Sequence, residues 1–507
     1  MSPRLRFLLV SAASAALSAC TLVPKERPEP GDLPSTWTQA DASSDASPLP
    51  AASASAWWDA FADPTLKALT SEGLKENIPI RQAVLRVTQA RANALQDISS
   101  YLPNFSADAR AQYTRVVKGP QLVGSFTSFL NGGGGSIARE NEQAFYSAGP
   151  SVSWEVPLFG LFPIAARGAR VSNDIAAEDV RGATVALVGD IADAYVDLRA
   201  AQNRKLILAQ SLANAERLAE VLESTVASGF TAPTDAADAR RQTETTRARL
   251  PDADIAIVVA KSTIARLRGK APGTENDSLK AALDAPGPVP TRAFDAKTAA
   301  PADLLRLRPD VARAERQAVL SALSVGAARH QLLPKLTISG NLGIADNLVG
   351  SPLPEQQGQL QITPLVSMPL FDFGSKLAAA RSRKAQFRID LLTYRDTVNG
   401  AVAEADRALV SLEGARKRLA AAAAAEQAAE KFAVGARAAQ TAGLTSLRDR
   451  LQAEQLYLET QLARVEAEAS LARASSSVYR AFAGALAPDG PVAARQAVLM
   501  TAPAATR

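Results

Sequence analysis

Four short stretches of this chain alternate polar with apolar residues, and two long stretches repeat apolar residues every three or four positions. Asn104, Ser106, Asp108, Arg110 and Gln112 alternate with Phe105, Ala107, Ala109, Ala111 and Tyr113, the period of two expected of a half-buried strand. Ser147, Ser151, Ser153 and Glu155 stand against Tyr146, Ala148, Val152, Trp154 and Val156. Lys335, Thr337, Ser339 and Asn341 alternate with Leu336, Ile338, Gly340 and Leu342, and Gln359, Gln361, Thr363 and Ser367 with Leu360, Ile362, Val366 and Met368. Strands are therefore predicted over about 104–114, 144–157, 335–345 and 359–370. Leu187, Ile191, Ala194, Leu198, Ala201, Leu208, Leu212, Ala215, Ala219, Leu222 and Val226 step by four and three, with only Lys205 off the stripe. Val398, Val402, Ala405, Leu409, Leu412, Leu419 and Ala423 repeat it with Arg416 off, and this is the heptad of paired helices. A helix from Ile164 to Ser228 would run roughly 95–100 Å, far longer than a globular domain is wide.

These patterns occur twice. Leu102-Pro103-Asn104-Phe105 is matched by Leu333-Pro334-Lys335-Leu336, Val156-Pro157-Leu158-Phe159-Gly160 by Met368-Pro369-Leu370-Phe371-Asp372, and Ser228-Gly229-Phe230-Thr231 with Asp235 by Ala442-Gly443-Leu444-Thr445 with Asp449. The offsets are 231, 212 and 214 residues. An internal duplication of this period marks a repeated structural unit, and each copy is expected to run helix, two strands, very long helix, tight turn, helix. The expected division is 57–271 for the first repeat, 272–308 for a Pro-rich linker and 309–486 for the second.

Composition narrows the chemistry. Hydrophobic residues make up 47% of 507 residues but aromatics only 5%, so the apolar content is mostly Ala, Leu and Val, suited to close helix packing. One histidine and one cysteine leave no Cys/His zinc site, Cys–His nucleophile or disulfide framework. The net charge of +5, with 56 basic and 51 acidic residues, is too balanced to argue for a nucleic-acid partner. No catalytic cluster is visible, and an enzyme is not expected. Asn131-Gly132-Gly133-Gly134-Gly135 lacks the Gly-Lys-Ser/Thr of a phosphate loop.

Arg4 and Arg6 precede an apolar run from Phe7 to Leu17, the order of a secretory signal. The run closes on Leu17-Ser18-Ala19-Cys20, which resembles a bacterial lipobox. That resemblance implies a signal peptide over 1–19, cleavage before Cys20, a covalent N-terminal lipid on Cys20 and, with Thr21 following, sorting to the outer membrane. Residues 20–56 read as an extended tether and 487–507 as a tail. No later segment offers the roughly 18 uninterrupted apolar residues of a membrane helix. For an exported chain of this kind, strands of about ten alternating residues fit a membrane β-barrel; alternation alone also fits one face of a soluble sandwich. Four strands cannot close a barrel, which needs about eight, so three chains would have to share twelve. Asn131–Gly135 and Gly350–Gly358 would then be outer loops.

Trp57-Trp58-Asp59-Ala60-Phe61, Asp63-Pro64-Thr65-Leu66, Asn77, and Leu304-Leu305-Arg306-Leu307-Arg308-Pro309-Asp310-Val311 with Ala314-Glu315, added to the repeated Pro-Leu-Phe and Gly-turn sites, resemble the outer-membrane factor lipoproteins, the TolC/NodT-like efflux channels. The resemblance covers about residues 20–485. It implies a mainly α fold with a small β-barrel: a duplicated protomer, a trimeric twelve-stranded barrel and a long periplasmic helical tunnel, with a belt from residues around 57–75, 272–310 and 484–490. The implied function is passive conduction of drugs or other small toxic compounds, with no cofactor. The implied partners are two further copies of the chain, a periplasmic adaptor, an inner-membrane transporter of the RND class and outer-membrane lipid. A type I secretion channel of the same fold and a periplasmic coiled-coil adaptor are the competing readings; two full hairpins with strand pairs argue against the adaptor.

By the same resemblance Gly229, Phe230, Thr231, Gly443, Leu444 and Thr445 form adaptor-contacting tips, and Arg448, Asp449, Gln452 and Gln455 a constriction. Relatives often carry an acid at the position of Gln452 and an Arg at that of Gln455, so part of the usual charged gate is missing. Ser446-Leu447-Arg448-Asp449 reads equally as a capping box. His330, Trp57 and Trp58 are read as packing residues, and Trp154 and Tyr113 as girdle aromatics.

Overall fold

The heptad stretches form helices and the alternating stretches form strands, in an order that occurs twice. In the computed structural model residues 22–29, 31, 61–115, 142–230, 232–274, 277–291, 308–347 and 358–482 are described; Cys20, Trp57, Trp58, Thr231, the Asn131–Gly135 loop and the tail lie outside them, as does the side chain of Tyr113. The elements are α1 (Pro64–Glu76), α2 (Ile78–Ser99), β1 (Asn104–Arg115), β2 (Glu142–Val156), α3 (Leu161–Ala227), α4 (Pro233–Leu267), α5 (Asp277–Asp284), α6 (Pro309–His330), β3 (Lys335–Asn347), β4 (Gly358–Ser367), α7 (Ser375–Thr441) and α8 (Leu447–Phe482). α2 and α6 are both 22 residues long and begin 231 apart, while α3 and α7 are both 67 residues and begin 214 apart. One expected correspondence shifts. Phe159 and Gly160 hold φ of 53° and 75°, matched by Phe373 and Gly374 at 55° and 80°, so the backbone turn repeats at 214 and not at the 212 of the Pro-Leu-Phe letters. The reversal into each long helix needs Gly in the left-handed region, and that conformation, not the preceding Pro, fixes the alignment. The segment expected as a bare linker also contains α5, with Leu279 and Leu283 buried.

The chain divides into two compact units. One, built from residues 90–173 and 319–389 with the N-terminal residues up to 27, holds the sheet. Its strands pair antiparallel in the order β1-β2-β3-β4. The registers Ser106↔Ser151, Trp154↔Ile338 and Ser339↔Thr363 put the polar residues of all four strands on one face and the apolar residues on the other. On the polar face Ser106 Oγ lies 2.7 Å from Ser151 Oγ, Asp108 accepts from both serines, and Lys335 pairs with Glu155 at 2.9 Å. Phe105, Leu342, Leu360, Ile362 and Val366 leave the other face apolar and exposed. Leu365 departs from the pattern, standing on the polar face between Thr363 and Ser367. No helix among the described residues is long and apolar enough to cross a membrane.

Within this unit Arg329 donates to the Leu22 carbonyl at 2.9 Å. Gly326 leaves room for Val23, since a Cβ there would stand 2.8 Å from the valine methyl. His330 is buried, its Nε2 2.8 Å from the Leu158 carbonyl, which bears out its packing role.

The other unit contains residues 174–318 and 390–482 with α1 and the start of α2, and its cores lie on the heptad stripes. Leu187, Ile191, Leu198 and Ile264 pack with Leu66, Leu69, Ile80 and Leu283. Val398, Ala405, Leu412 and Ala415 pack with Val311, Leu471, Val478 and Phe482. Each large buried side chain contributes about 2 kcal/mol. The residue types quoted for the family resemblance are polar clamps on these cores. Asp63 caps α1, accepting from Thr65 N and Leu66 N at 2.8 and 3.1 Å, and also accepts from the Tyr195 hydroxyl at 2.7 Å. Arg199 donates to that hydroxyl from Nε and Nη2, and holds the end of α5 through the Ala282 and Ala285 carbonyls. Burial and then the bond to Asp63 push the Tyr195 phenol up to about 12. Asn77, buried between α1 and α2, donates to the Leu267 carbonyl at 2.7 Å and accepts from Ile80 N.

Candidate functional site at the hairpin tips

Both long helices end in the same way. Gly229 N–H donates to the Val226 carbonyl and Phe230 N–H to Thr225, each at 2.9 Å; Gly443 donates to Gln440 at 3.0 Å and Leu444 to Ala439 at 2.9 Å. These are paired Schellman caps, which need a left-handed residue after the helix, and Gly229 and Gly443 supply φ of 76° and 72°. An added Cβ at either glycine would meet nothing within 4 Å. Gly443→Ala should therefore cost only backbone strain, about 1 kcal/mol. Hydrogen exchange at Leu444 should quicken about five-fold; an unchanged rate would mean that the cap is open in the wild type. The residue after each glycine, Phe230 at 86% and Leu444 at 79% exposure, presents a large apolar side chain to solvent at the end of a hairpin.

The returning helices start differently. At α8 Ser446 and Asp449 form a capping box: Asp449 N donates to Ser446 Oγ at 3.1 Å, and Asp449 Oδ2 accepts from Ser446 N at 3.2 Å and from its hydroxyl at 2.7 Å. At α4 the equivalent of Ser446 is Ala232, which gives no side-chain cap. Asp235, the equivalent of Asp449, is thereby freed from capping and takes Arg448, whose Nη1 lies 3.4 Å away. This corrects an expectation: within the chain Arg448 pairs with the acid of the other tip, not with Asp449. The Ser446 hydroxyl and then its N–H, helped by Arg448, hold the Asp449 carboxyl below its ordinary value.

Gln455, expected at a constriction, instead joins α3 and α8. Its Nε2 donates to Ser211 Oγ at 2.9 Å, and buried Asn214 donates to the Leu451 carbonyl at 2.8 Å beside it. Gln452 is exposed, one turn beyond Arg448. The hairpins are zipped by ion pairs at duplicated positions with the charges exchanged: Glu223 with Arg240 in the first, Arg437 with Glu454 in the second. Both pairs join the outgoing and returning helices about two turns from the tip. No cluster of His, Cys, Asp and Glu fit for a metal occurs among the described residues.

Sequence reasoning did not assign Arg308 or Asp235. Arg308, buried ahead of α6, donates to both Asp310 oxygens at 3.0 and 2.9 Å, to Glu404 on α7 at 2.6 Å and to the Ala481 carbonyl of α8 at 2.9 Å. An arginine directly before a helix-starting Pro-Asp was the available signal. For Asp235 the signal was Ala232 standing where the other copy has Ser446.

A duplicated chain with a one-sided apolar sheet and two capped hairpins has a counterpart among known families. The family model described as outer membrane efflux protein matches residues 69–270 and 300–484. The chain belongs to that family. It is 28% identical to the pyoverdine export outer membrane protein OpmQ of Pseudomonas aeruginosa over 96% of this chain and 99% of the relative. With nodulation protein T of Rhizobium leguminosarum bv. trifolii it shares 27% over 91% of this chain and 92% of that one. Among solved structures the outer-membrane channel OprN superposes with a TM-score of 0.78 at 27% identity, covering 92% of this chain and all of that one. The Campylobacter jejuni CmeC channel, at 19% identity and a TM-score of 0.78, covers 95% and 98% and shows the same fold. This family member is thus an outer-membrane channel of an efflux pump, with the TolC-like fold of a duplicated helical tunnel and small barrel, extending into the periplasm. It is a conduit and not an enzyme.

Proposed function

We propose that three copies of this chain close one twelve-stranded barrel in the outer membrane and one helical tunnel beneath it, through which drugs or other small toxic compounds leave the cell passively. The observation that carries this reading is the sheet: four strands with an exposed apolar face, a hydrogen-bonded polar face and outer strands β1 and β4 that no other strand of the chain pairs. In lipid each unpaired backbone group costs several kcal/mol, so such a sheet is complete only when its edges are closed by other strands.

The exposed Phe230 and Leu444 at the hairpin ends fit docking by a periplasmic adaptor, which would connect the channel to an inner-membrane transporter of the RND class. Substrate choice would rest with that transporter. The Arg448–Asp235 pair, with Asp449 and Gln452 beside it, is the proposed closure of the tunnel. Repeated three times, its like charges are tolerable only because each has an opposite partner. Cys20 would carry the covalent lipid, close in sequence to the Leu22 and Val23 seat on α6, and the probable outer membrane lipoprotein SilC of Salmonella typhimurium, 23% identical over 78% of this chain, is a relative whose name carries that modification.

Conductance of the purified protein in planar bilayers, read with its mass in detergent, tests the channel. A trimer with discrete conductance steps is expected. A folded monomer, or a trimer without conductance, would overturn the reading. Mass spectrometry of the mature N-terminus tests Cys20, where an unmodified terminus downstream would remove the anchor.

A further inference from the structure

The duplication contains a template for the missing half of the sheet. Inside the chain the seam between the two copies is the β2–β3 pair, with Val152↔Gly340, Ser153↔Ser339, Trp154↔Ile338 and Val156↔Leu336. The counterpart of β3 in the first copy is β1, 231 residues earlier, as α2 and α6 also require. The counterpart of β2 is β4, and the hydrogen-bond registers fix that offset independently. Asn104 pairs with Ser153, and Lys335, which is 231 residues after Asn104, pairs with Ser367. Ser153 therefore corresponds to Ser367, a shift of 214, equal to that of the Phe-Gly turns and the long helices.

We propose that β4 pairs antiparallel with β1 of a second copy in the register that repeats β2–β3. Val366 then faces the partner's Ala109, Ser367 the partner's Asp108, Met368 the partner's Ala107 and Leu370 the partner's Phe105. The register deepens the trimeric reading above and rests on it.

Three features of the chain agree with this register. It sets apolar on apolar and polar on polar: Val366, Met368 and Leu370 are 67%, 55% and 88% exposed in the single chain and Phe105 is 77%, while Ser367 and Asp108 both lie on the polar face. A slip of one residue would invert every side chain. A slip of two keeps the faces and fails elsewhere. Within the chain the turn after β2 is covered by the end of α6, where His330 bonds the Leu158 carbonyl and sits 6.2 Å from the Phe159 ring. The counterparts are Phe373 and the end of α2 at Ser99. Phe373 is 91% exposed, with Phe371 stacked on it at 4.6 Å and itself 80% exposed, and Leu102, just beyond α2, is 53% exposed. The template register brings this aromatic turn onto the partner's α2 end, and a two-residue slip moves it roughly 6–7 Å along the strand, off that end.

Single-cysteine chains test the register in the outer membrane. Val366→Cys and Ala109→Cys lie on an exposed apolar face, so each alone leaves the fold intact, and the one native thiol is Cys20. Two differently tagged full-length chains, one with each substitution, are co-expressed and oxidised. Ser367→Cys with Asp108→Cys is run in parallel, because only one of two neighbouring pairs has the close, non-hydrogen-bonded geometry. Disulfide-linked dimers carrying both tags are expected from one of these pairs, with at least about ten-fold less product from Val366→Cys with Ala107→Cys, where the β-carbons are too far apart. Stronger linkage in the slipped pair would overturn the register while leaving the trimer standing. Trimers that link in no pair would place the seam elsewhere and overturn the proposal. Chains that stay monomeric in detergent would remove the trimeric reading as well.

Discussion

Arg308→Ala should lower the stability of the unit containing α6, α7 and α8 by about 3 kcal/mol, the largest single-residue effect expected outside the apolar core. Three separate helices lose a shared donor. Asp310, Glu404 and the Ala481 carbonyl all converge on a guanidinium that is only 8% exposed. Burial by itself opposes its charge, yet Asp310 and Glu404 outweigh that and hold its pKa above the ordinary value. Both acids are about half exposed, so water recovers part of their solvation and the loss stays at the lower end of that for a severed buried pair. Arg308→Lys should recover only a fraction, since a single ammonium cannot reach a carboxylate on each side and a carbonyl together. Thermal unfolding of the detergent-solubilised protein, with hydrogen exchange at the first turn of α6, reads the effect. An unchanged midpoint for Arg308→Ala would mean that the cores of Val398, Leu412 and Val478 hold these helices without the clamp.

Arg448→Ala should raise single-channel conductance and sensitise cells to large antibiotics such as vancomycin. The tip pair is the only ion pair among the described residues that joins the first turns of both returning helices, and the trimer would lose three such links at once. Asp449→Ala should behave differently: it removes the capping box, costs about 1 kcal/mol of hairpin stability and leaves conductance unchanged. Exchanging the charges, Arg448→Asp with Asp235→Arg, should restore the closed state. If Asp449→Ala opens the channel and Arg448→Ala does not, the closure lies in the cap and not in the pair. Acid separates the two roles further. The Asp449 carboxyl titrates lower in the folded chain than in the unfolded one, so its stabilisation is complete above the ordinary value of about 4 and is lost as pH falls through the lowered folded value. Fraying of the second tip, followed by hydrogen exchange at Leu447 and Arg448, should accordingly begin only below about pH 4.

Periodicity alone determined most of what this chain folds into. A repeat of two at Asn104–Tyr113 and three other places set four strands and their two faces, because a pleated strand cannot turn alternate residues the same way. A repeat of three and four set both long helices, and the recurrence of Leu-Pro, Pro-Leu-Phe and Gly turns showed that the unit is used twice. The leader, the lone cysteine and the Arg-Pro-Asp-Val segment carried the family resemblance. Tertiary structure decided what periodicity is blind to, namely which of several equivalent partners a polar side chain takes. Asp235 and Asp449 are the same residue in the two copies, and only the loss of a serine hydroxyl at Ala232 releases one of them to meet Arg448 across the tips. Gln455 was placed at a constriction from its sequence position, whereas its amide is held by Ser211 on a helix more than two hundred residues away. Turn alignment was misjudged by two residues because letters were matched, while the backbone repeats the left-handed Phe-Gly step. Apolar burial depends on local spacing and is written along the chain, but hydrogen bonds and ion pairs are directional and of short range, so their partners exist only once the helices have been brought together.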